Sequence, residues 1–423
     1  LEELGHRVER SWELKSLKQN GTEVTGSLVS SRGEEREIQS SYMVGCDGAH
    51  SAARHLSGGK FLGEALPQCF ILCDAEVRGF SSSQQDLMIF STGQGLMPML
   101  PIRDNVWRLI SLRGPGSGTA PPTLDEMQEH LNERGPQGLT LSNPEWLSVF
   151  RISERRVDRF RRGRVLLAGD AAHIHSPVGG QGMNTGIQDA FNLGWKLGCI
   201  LRQGGNPDEI LNSYHDERSE VASRVIAETG ALTRFVLGGH GVMAPLRNLA
   251  ASLLGRSQRA IHSIARTLAG TGVRYGANPL LDDDRSWHED WRPHGFPPGL
   301  RIRDASVLSD EVPVSLMAEV FSSSKHTLLL FGGRRPNYRD AEGVENLRQL
   351  AAGYSSLLGS LAVWRGEHAP DDSWMLDPDG AAHSAFAAEF PSAYLVRPDG
   401  VVAARSQPAS FVPIEKALSA LCS

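Results

Sequence analysis

The sequence predicts a mixed α/β and α+β chain built from several units, and three observations carry that expectation. At 163–203 an apolar strand runs straight into a Gly- and Pro-rich loop and then into a long helical pattern. Residues 6–46 and 66–113 alternate polar and apolar between turn residues, the period of half-buried antiparallel strands. From residue 285 onward strand-like and helix-like stretches alternate again, behind a linker rich in Trp and Pro. The chain has 423 residues, 40% of them apolar and 22% charged. That composition suits a globular protein of roughly two to four domains.

The elements follow in order. Asn20-Gly21 and Arg32-Gly33 are hairpin signals, so 6–46 reads as antiparallel strands leading into Tyr42–Arg54. Strands are expected at 69–77, 87–90, 96–102 and 106–112, with Pro98 and Pro101 restricting the third to edge or bulged pairing. Thr123 caps a short helix over 124–134, and 149–160 reads as a returning strand. Val165–Ala168 is a buried strand ending in Gly169-Asp170. In the helix that follows, Asn184 and Thr185 are the candidate N-caps and Gly204-Gly205 the stop. Ile187, Phe191, Gly194, Trp195, Leu197 and Leu201 recur at helical spacing, which predicts that this face is buried. Asn206-Pro207-Asp208-Glu209 starts a further helix through Phe235, and another is expected over 244–269. Trp287, Trp291, Pro293, Pro297 and Pro298-Gly299 mark the linker. Beyond it, strands are expected at 326–331, 360–364 and 393–403, with helices at 342–353 and 413–422.

A helix that begins behind a glycine-permissive loop presents free backbone N–H groups and the positive end of its dipole. Something anionic, or becoming anionic, belongs there. The loop is not a nucleotide P-loop, because the Gly-x-x-x-x-Gly-Lys-Ser/Thr pattern is absent. The run Gly169-Asp170-Ala171-Ala172-His173, followed by Pro177 and Gly180-Gln181-Gly182-Met183-Asn184, resembles the second flavin fingerprint of the group A FAD-dependent aromatic monooxygenases. The similarity is greatest to their phenol hydroxylase and aromatic polyketide hydroxylase branch. Asp47-Gly48-x-x-Ser51-x-x-Arg54 after an apolar strand is similar to that family's Asp-Gly motif, and Tyr214-His215-Asp216-Glu217-Arg218 matches it as well.

The resemblance implies a flavin-hydroxylase-type FAD domain at 1–64 and 150–205, an antiparallel substrate sheet at 65–149, and a helical segment at 206–284. A thioredoxin-like C-terminal domain at 285–423 completes the set. No Gly-x-Gly-x-x-Gly follows a strand anywhere in the chain, so the part of the FAD domain that holds the ADP half of the cofactor is expected to be missing. As given, the chain is then expected to bind FAD poorly. The C-terminal segment has no Cys-x-x-Cys, which leaves it a packing module or the support of a homodimer.

The resemblance also implies the chemistry. NAD(P)H reduces FAD, O₂ adds to the reduced ring to give a hydroperoxide, and an electron-rich aromatic or polyketide substrate is hydroxylated; the cofactor supplies the reactivity. Asp170 is then expected on the ribitol, Pro177 on the ring face, and Gly180, Gln181, Gly182, Met183 and Asn184 along the pyrimidine edge. Asp47 and Arg54 are expected to organise the pyrophosphate and reductant side. Phe90, Met97, Met99 and Pro101 are candidates for the substrate wall, with ordinary sheet core as the equal alternative. No catalytic acid or base stands out. His215 reads as a packing histidine and His173 as a loop brace, since two His at i and i+2 without a third ligand make a poor metal site.

A formal charge of −6 excludes a generic nucleic-acid binder, and no apolar run is long enough to span a membrane. Five cysteines without metal-ligand spacing suggest free thiols in a reducing cytoplasm. Two further readings stay open: a flavin enzyme of the epoxidase or Baeyer–Villiger type, and an inert fragment that acts only as a scaffold.

Overall fold

Local turn chemistry sets the first hairpin. Asn20 Oδ1 accepts the N–H groups of Thr22 and Glu23 at 2.8 and 2.9 Å, an Asx turn that joins β1 (Trp12–Gln19) to β2 (Val24–Ser30). With β3 (Glu35–Ser40) these form a three-stranded antiparallel sheet. The computed structural model describes residues 2–79, 86–92, 95–114, 118–176, 180–237, 257–258, 270, 272–281, 296–334, 338–407 and 409–422. Pro177, all but residues 257–258 of the helix expected over 244–269, and the linker residues Trp287, Trp291 and Pro293 lie outside the described residues.

The chain continues through β4 (Met43–Gly45) and the short helix α1 (Ala52–Leu56) into the large antiparallel sheet. That sheet holds β5 (Phe61–Arg78), β6 (Met88–Thr92), β7 (Gly95–Arg103), β8 (Val106–Arg113) and β9 (Thr140–Val157). Helix α2 (Leu124–Arg134) lies between β8 and β9, and the Thr123 hydroxyl caps it by accepting the Glu126 N–H at 3.1 Å. Met127 and Leu131 of α2 pack on Ile71, Cys73, Met97, Met99, Trp107 and Leu109, so one face of the sheet is closed by this helix. β9 begins at 140, earlier than the alternation suggested, because Asn143 adopts a left-handed conformation that bends the strand without ending it.

β10 (Arg161–Arg162) and β11 (Val165–Leu167) come next, and β11 pairs in parallel with β4. The two sequence motifs therefore lie side by side. β12 (His173–Ile174) pairs with β9 at Arg155–Arg156, so the turn after β11 is stitched to the edge of the large sheet. Helices α3 (Gly182–Gln203) and α4 (Pro207–Leu237) pack against each other, and Gly204, in the left-handed region, ends α3 as expected.

The C-terminal part contains β13 (Ser306–Ser309), β14 (Val312–Ser315), helix α5 (Leu316–Phe321), β15 (His326–Phe331) and α6 (Tyr338–Ala352). It ends with β16 (Leu358–Trp364), β17 (Met375–Leu376), α7 (Ala381–Ala385), β18 (Ser392–Val396), β19 (Val402–Ser406) and α8 (Val412–Cys422). Its seven strands lie in the order β14-β13-β17-β16-β15-β18-β19, with β15 and β16 parallel and β18 and β19 an antiparallel hairpin. Leu329, Phe331, Val363, Phe386 and Tyr394 fill one face. Leu328, Leu330, Ala393 and Leu395 face the other way, into a core shared with α8 and α3. Among the described residues no helix is long and apolar enough to cross a membrane.

One expectation holds only in part. Of the apolar stripe of α3, Trp195 and Leu197 pack against the core, but Ile187, Phe191 and Leu201 face outward, 48%, 57% and 59% exposed. The buried face carries Thr185, Asp189, Asn192 and Lys196 beside Leu193, Cys199 and Ile200. Polar groups are tolerated there because every charge on that face has a buried partner from another element.

Candidate functional site

The Asp-Gly turn is held from within. Gly48 adopts the left-handed region, and the chain then starts α1 with Ser51 as N-cap. The Asp47 carboxylate accepts Ser51 Oγ–H at 2.5 Å and the Ala53 N–H at 3.0 Å, and Ser51 Oγ in turn accepts the Arg54 N–H. Arg54, expected to organise the pyrophosphate and reductant side, is only 2% exposed. It donates to the Ala171 and Ala49 carbonyls at 2.9 and 2.8 Å and lies over the Phe61 ring at 4.0 Å. Arg54 is thus an internal clamp between the two motifs, while Asp47 keeps an exposed position at the turn.

After β11 the chain turns at Gly169, which is left-handed, and presents Asp170 on the surface. Gly186 of α3 approaches this turn so closely that an added Cβ would sit 3.2 Å from the Gly169 Cα. Behind the turn stands Asp189, buried on α3. Its carboxylate accepts the Gly169 N–H at 2.9 Å, His173 Nε2–H at 2.7 Å and Arg218 Nε–H at 2.6 Å. Burial pushes the Asp189 carboxyl up, but the Arg218 and His173 contacts outweigh it and hold the group below the usual carboxylate range. Arg218 also donates to the Thr185 carbonyl, and the Tyr214 hydroxyl donates to the Leu167 carbonyl at 2.7 Å. Burial alone lowers the affinity of Arg218 for its proton, but Tyr275 and Asp189 more than reverse this, so the guanidinium stays charged.

Helix α3 begins at Gly182, two residues before the expected caps, with Gln181 as an N-cap whose side chain makes no capping bond. Asn184 is exposed, and Thr185 turns its hydroxyl back to the Gln181 carbonyl at 2.8 Å. The first turn at Gly182, Met183 and Asn184 is thus without a side-chain cap on a helix of 22 residues. Gly180 has φ +66, and among the described residues a Cβ on Gly182 would meet only the His175 ring, at 3.9 Å. His175 Nδ1–H donates to the Ser176 carbonyl at 2.9 Å, and its buried Nε2 has no partner among the described residues. Burial also lowers its proton affinity, so His175 is a neutral imidazole with an acceptor lone pair beside the helix start. This uncapped, glycine-lined helix end with an orphaned acceptor fits the ring and ribitol end of a flavin. The Gly-x-Gly-x-x-Gly loop that would hold the ADP half is not in the sequence.

Of the other histidines, His173 braces the turn, and His215 accepts the Phe160 N–H at 3.3 Å and packs on the Phe160 ring. No group of three His, Cys, Asp or Glu among the described residues is arranged for a metal. The four candidates for the substrate wall take the sheet-core alternative. Register pairs Phe90 with Met97, Met99 with Leu109, and Pro101 with Trp107, so all four candidates lie on the face that α2 covers. Met97 and Met99 are fully buried there. The opposite face carries Phe70 beside Leu112 and Phe150, Leu72 beside Ile110, and Asp74 beside Arg108. Phe70 and Phe150 stack with ring centroids 5.5 Å apart, and Arg108 forks onto Asp74 at 2.8 Å while lying over Trp146. Helix α4 leans on β7 and β9, and its Thr233 donates to Ser176 Oγ at 2.7 Å.

Asp189, Arg218, Tyr214 and His175 were missed as site residues from the sequence. The matching Tyr214–Arg218 segment was the available signal, since three of its five residues are buried and polar, spaced to face α3.

Comparison with known proteins agrees with this geometry. A family model described as an FAD binding domain matches residues 1–229. Rifampicin monooxygenase from Streptomyces venezuelae is 38% identical over 260 residues, which cover 59% of this chain and 52% of that protein. 6-Methylpretetramide 4-monooxygenase from Streptomyces rimosus is 28% identical over 99% of this chain and 73% of its own length. The solved structure of an anhydrotetracycline hydroxylase from Streptomyces rimosus superposes with a TM-score of 0.73 at 28% identity, covering 99% of this chain and 76% of that one. The chain thus spans between about half and three quarters of the length of the relatives it matches. With the matched region covering more than half of its residues, this chain belongs to the FAD binding domain family.

Proposed function

We propose that the chain carries the ring site and substrate sheet of an FAD-dependent, NAD(P)H-using monooxygenase that hydroxylates an aromatic or polyketide substrate. The observation that carries this is the uncapped α3 terminus, set by the Gly169-Asp170 turn and stitched through β12 to a sheet with an aromatic face. FAD, when bound, supplies the oxygen-transfer chemistry, for which no side chain here has the reactivity. Asp170 is exposed where it can accept a ribitol hydroxyl. The N–H groups of Gly182, Met183 and Asn184, with the dipole of α3 behind them, stabilise negative charge at the ring edge. His175 Nε2 accepts a hydrogen bond from whichever N–H or O–H approaches the helix start.

The substrate surface in this reading is the face opposite α2, where Phe70, Leu72, Ile110, Leu112 and Phe150 exclude water and stack on a planar ring. The parity of the strands makes this testable. Phe150→Ala should lower kcat/KM for aromatic substrates by roughly tenfold while leaving flavin affinity unchanged. Met99→Ala, on the helix side, should instead cost about 2–5 kcal/mol of stability with little effect on kcat/KM in the folded fraction. Supplying the chain with FAD, NADPH and a panel of phenolic polyketides, with mass spectrometry of the products, tests the activity itself. Gain of one oxygen atom at a ring carbon supports hydroxylation. Ring expansion to a lactone, or turnover without oxygen gain, contradicts it.

A further inference from the structure

Adjacent residues of α4 reach in two directions. Arg218 grips the turn at Gly169 through Asp189. Its neighbour Glu217 grips the C-terminal sheet, accepting from Arg397 Nη1 and Nη2 at 2.6 and 3.0 Å. Lys196 and Asn192 of α3 donate to the same carboxylate at 2.9 and 2.6 Å. Arg397 closes on Asp399 of its own hairpin turn, and Asp399 also accepts Trp195 Nε1–H at 3.2 Å. A shared group completes the circuit. Tyr275 Oη accepts Arg218 Nη1–H at 3.1 Å, and the Arg397 guanidinium lies 5.4 Å from the centroid of the Tyr275 ring. Apart from the half-buried Trp195, the side chains of this path are buried, from a C-terminal hairpin to the turn that bears Asp170.

We propose that Arg397 and Tyr275 are positioning residues for the site: the β18–β19 hairpin sets the Gly169-Asp170 turn and the first turns of α3 through Glu217, Arg218 and Asp189. Two features separate this from ordinary interdomain packing. The contact is made of forked charge pairs, which fix orientation as well as distance. It also ends on two backbone groups of the site, the Gly169 N–H and the Thr185 carbonyl, rather than on side chains of a general core. A change in the hairpin therefore reaches the height and tilt of the helix start without touching any ligand. This inference takes its importance from the proposed ring site, but the geometry it concerns exists without flavin.

Hydrogen–deuterium exchange of the full chain without flavin tests it. Tyr275→Phe removes one hydroxyl and leaves the ring, so folding is retained. Exchange in the segment 166–176 should then rise about fivefold, the worth of one hydrogen bond, with the strands β15 and β18 unchanged. Arg397→Met should raise it further, and Arg397→Lys, which keeps the charge over the Tyr275 ring, should recover part of the protection. Val363→Ala, a core truncation in the same C-terminal sheet that touches none of these groups, is the control. The proposal is overturned if 166–176 exchanges at the wild-type rate in Tyr275→Phe, or if Val363→Ala raises it as much. It is equally overturned if Lys and Met at 397 behave alike. If flavin fails to bind while the exchange pattern holds, the ring-site reading falls and this coupling stands.

Discussion

Asp189→Asn should remove about 3–5 kcal/mol of folding stability, measured by urea denaturation, although the substitution changes the side-chain volume hardly at all. The reason is charge. Asp189 is the anion for a fully buried Arg218 and the acceptor for both the Gly169 N–H and His173. An amide leaves a guanidinium desolvated without its counter-ion, and it cannot accept all three bonds with equal strength. Arg218→Met together with Asp189→Asn should cost less than the sum of the two single changes, because the double variant buries no orphaned charge. A loss below about 1 kcal/mol in the single variant would mean that the Asp189 carboxylate is not the counter-charge of Arg218.

Glu217→Gln is expected to be as severe, about 3–5 kcal/mol, and to change the acid stability of the protein in a defined way. Without this carboxylate, Lys196 and Arg397 are two buried cations facing Asp399 alone. Burial already pushes the Lys196 ammonium down to about 8, partly offset by Glu217, so losing that partner drives it toward the neutral form. Burial raises the Glu217 carboxyl, but Arg397 and Lys196 overcome this and hold it well below its ordinary value of 4.5. The folded pKa is depressed, so the unfolded chain binds the extra proton. The stability contributed by Glu217 is full above pH 4.5 and is lost as pH falls below it. Unfolding free energies measured between about pH 3 and 5 should therefore fall steeply in the wild type, and in Glu217→Gln with a slope smaller by up to one proton. Equal slopes would contradict the placement of an ionised Glu217 among these groups.

These two residues also show where sequence reading stops. The Gly169-Asp170 turn, the strand before it, the cap at Thr123 and the glycine stop of α3 are local, and Gly and Thr at those positions announce them directly. The face of α3 is not local. Its apolar stripe suggested burial of Ile187 and Phe191, yet the buried side carries Asp189, Asn192 and Lys196. Their partners come from Arg218 and Glu217 on the next helix and from Asp399 in the C-terminal hairpin, and no period within the helix encodes a distant counter-charge. For the substrate-wall candidates the reason is different. Phe90, Met97, Met99 and Pro101 all share the α2 face, the sheet-core alternative, because period-2 alternation does not say which side a later helix will cover. Arg54 clamps its own turn and, through the Ala171 carbonyl, the other motif, a partner that no local pattern in the Asp-Gly motif announces.

The central claim is that a flavin ring sits on the uncapped start of α3 beside Asp170. Fluorescence titration of the chain with riboflavin and with FAD tests it most directly. In the proposed site the ring and ribitol are the parts recognised, so both ligands should quench saturably with affinities within roughly tenfold of each other, and Asp170→Ala should weaken both by about one hydrogen bond to a charged group. No saturable binding of either ligand, or binding indifferent to Asp170→Ala and to Gly182→Val, would contradict the account.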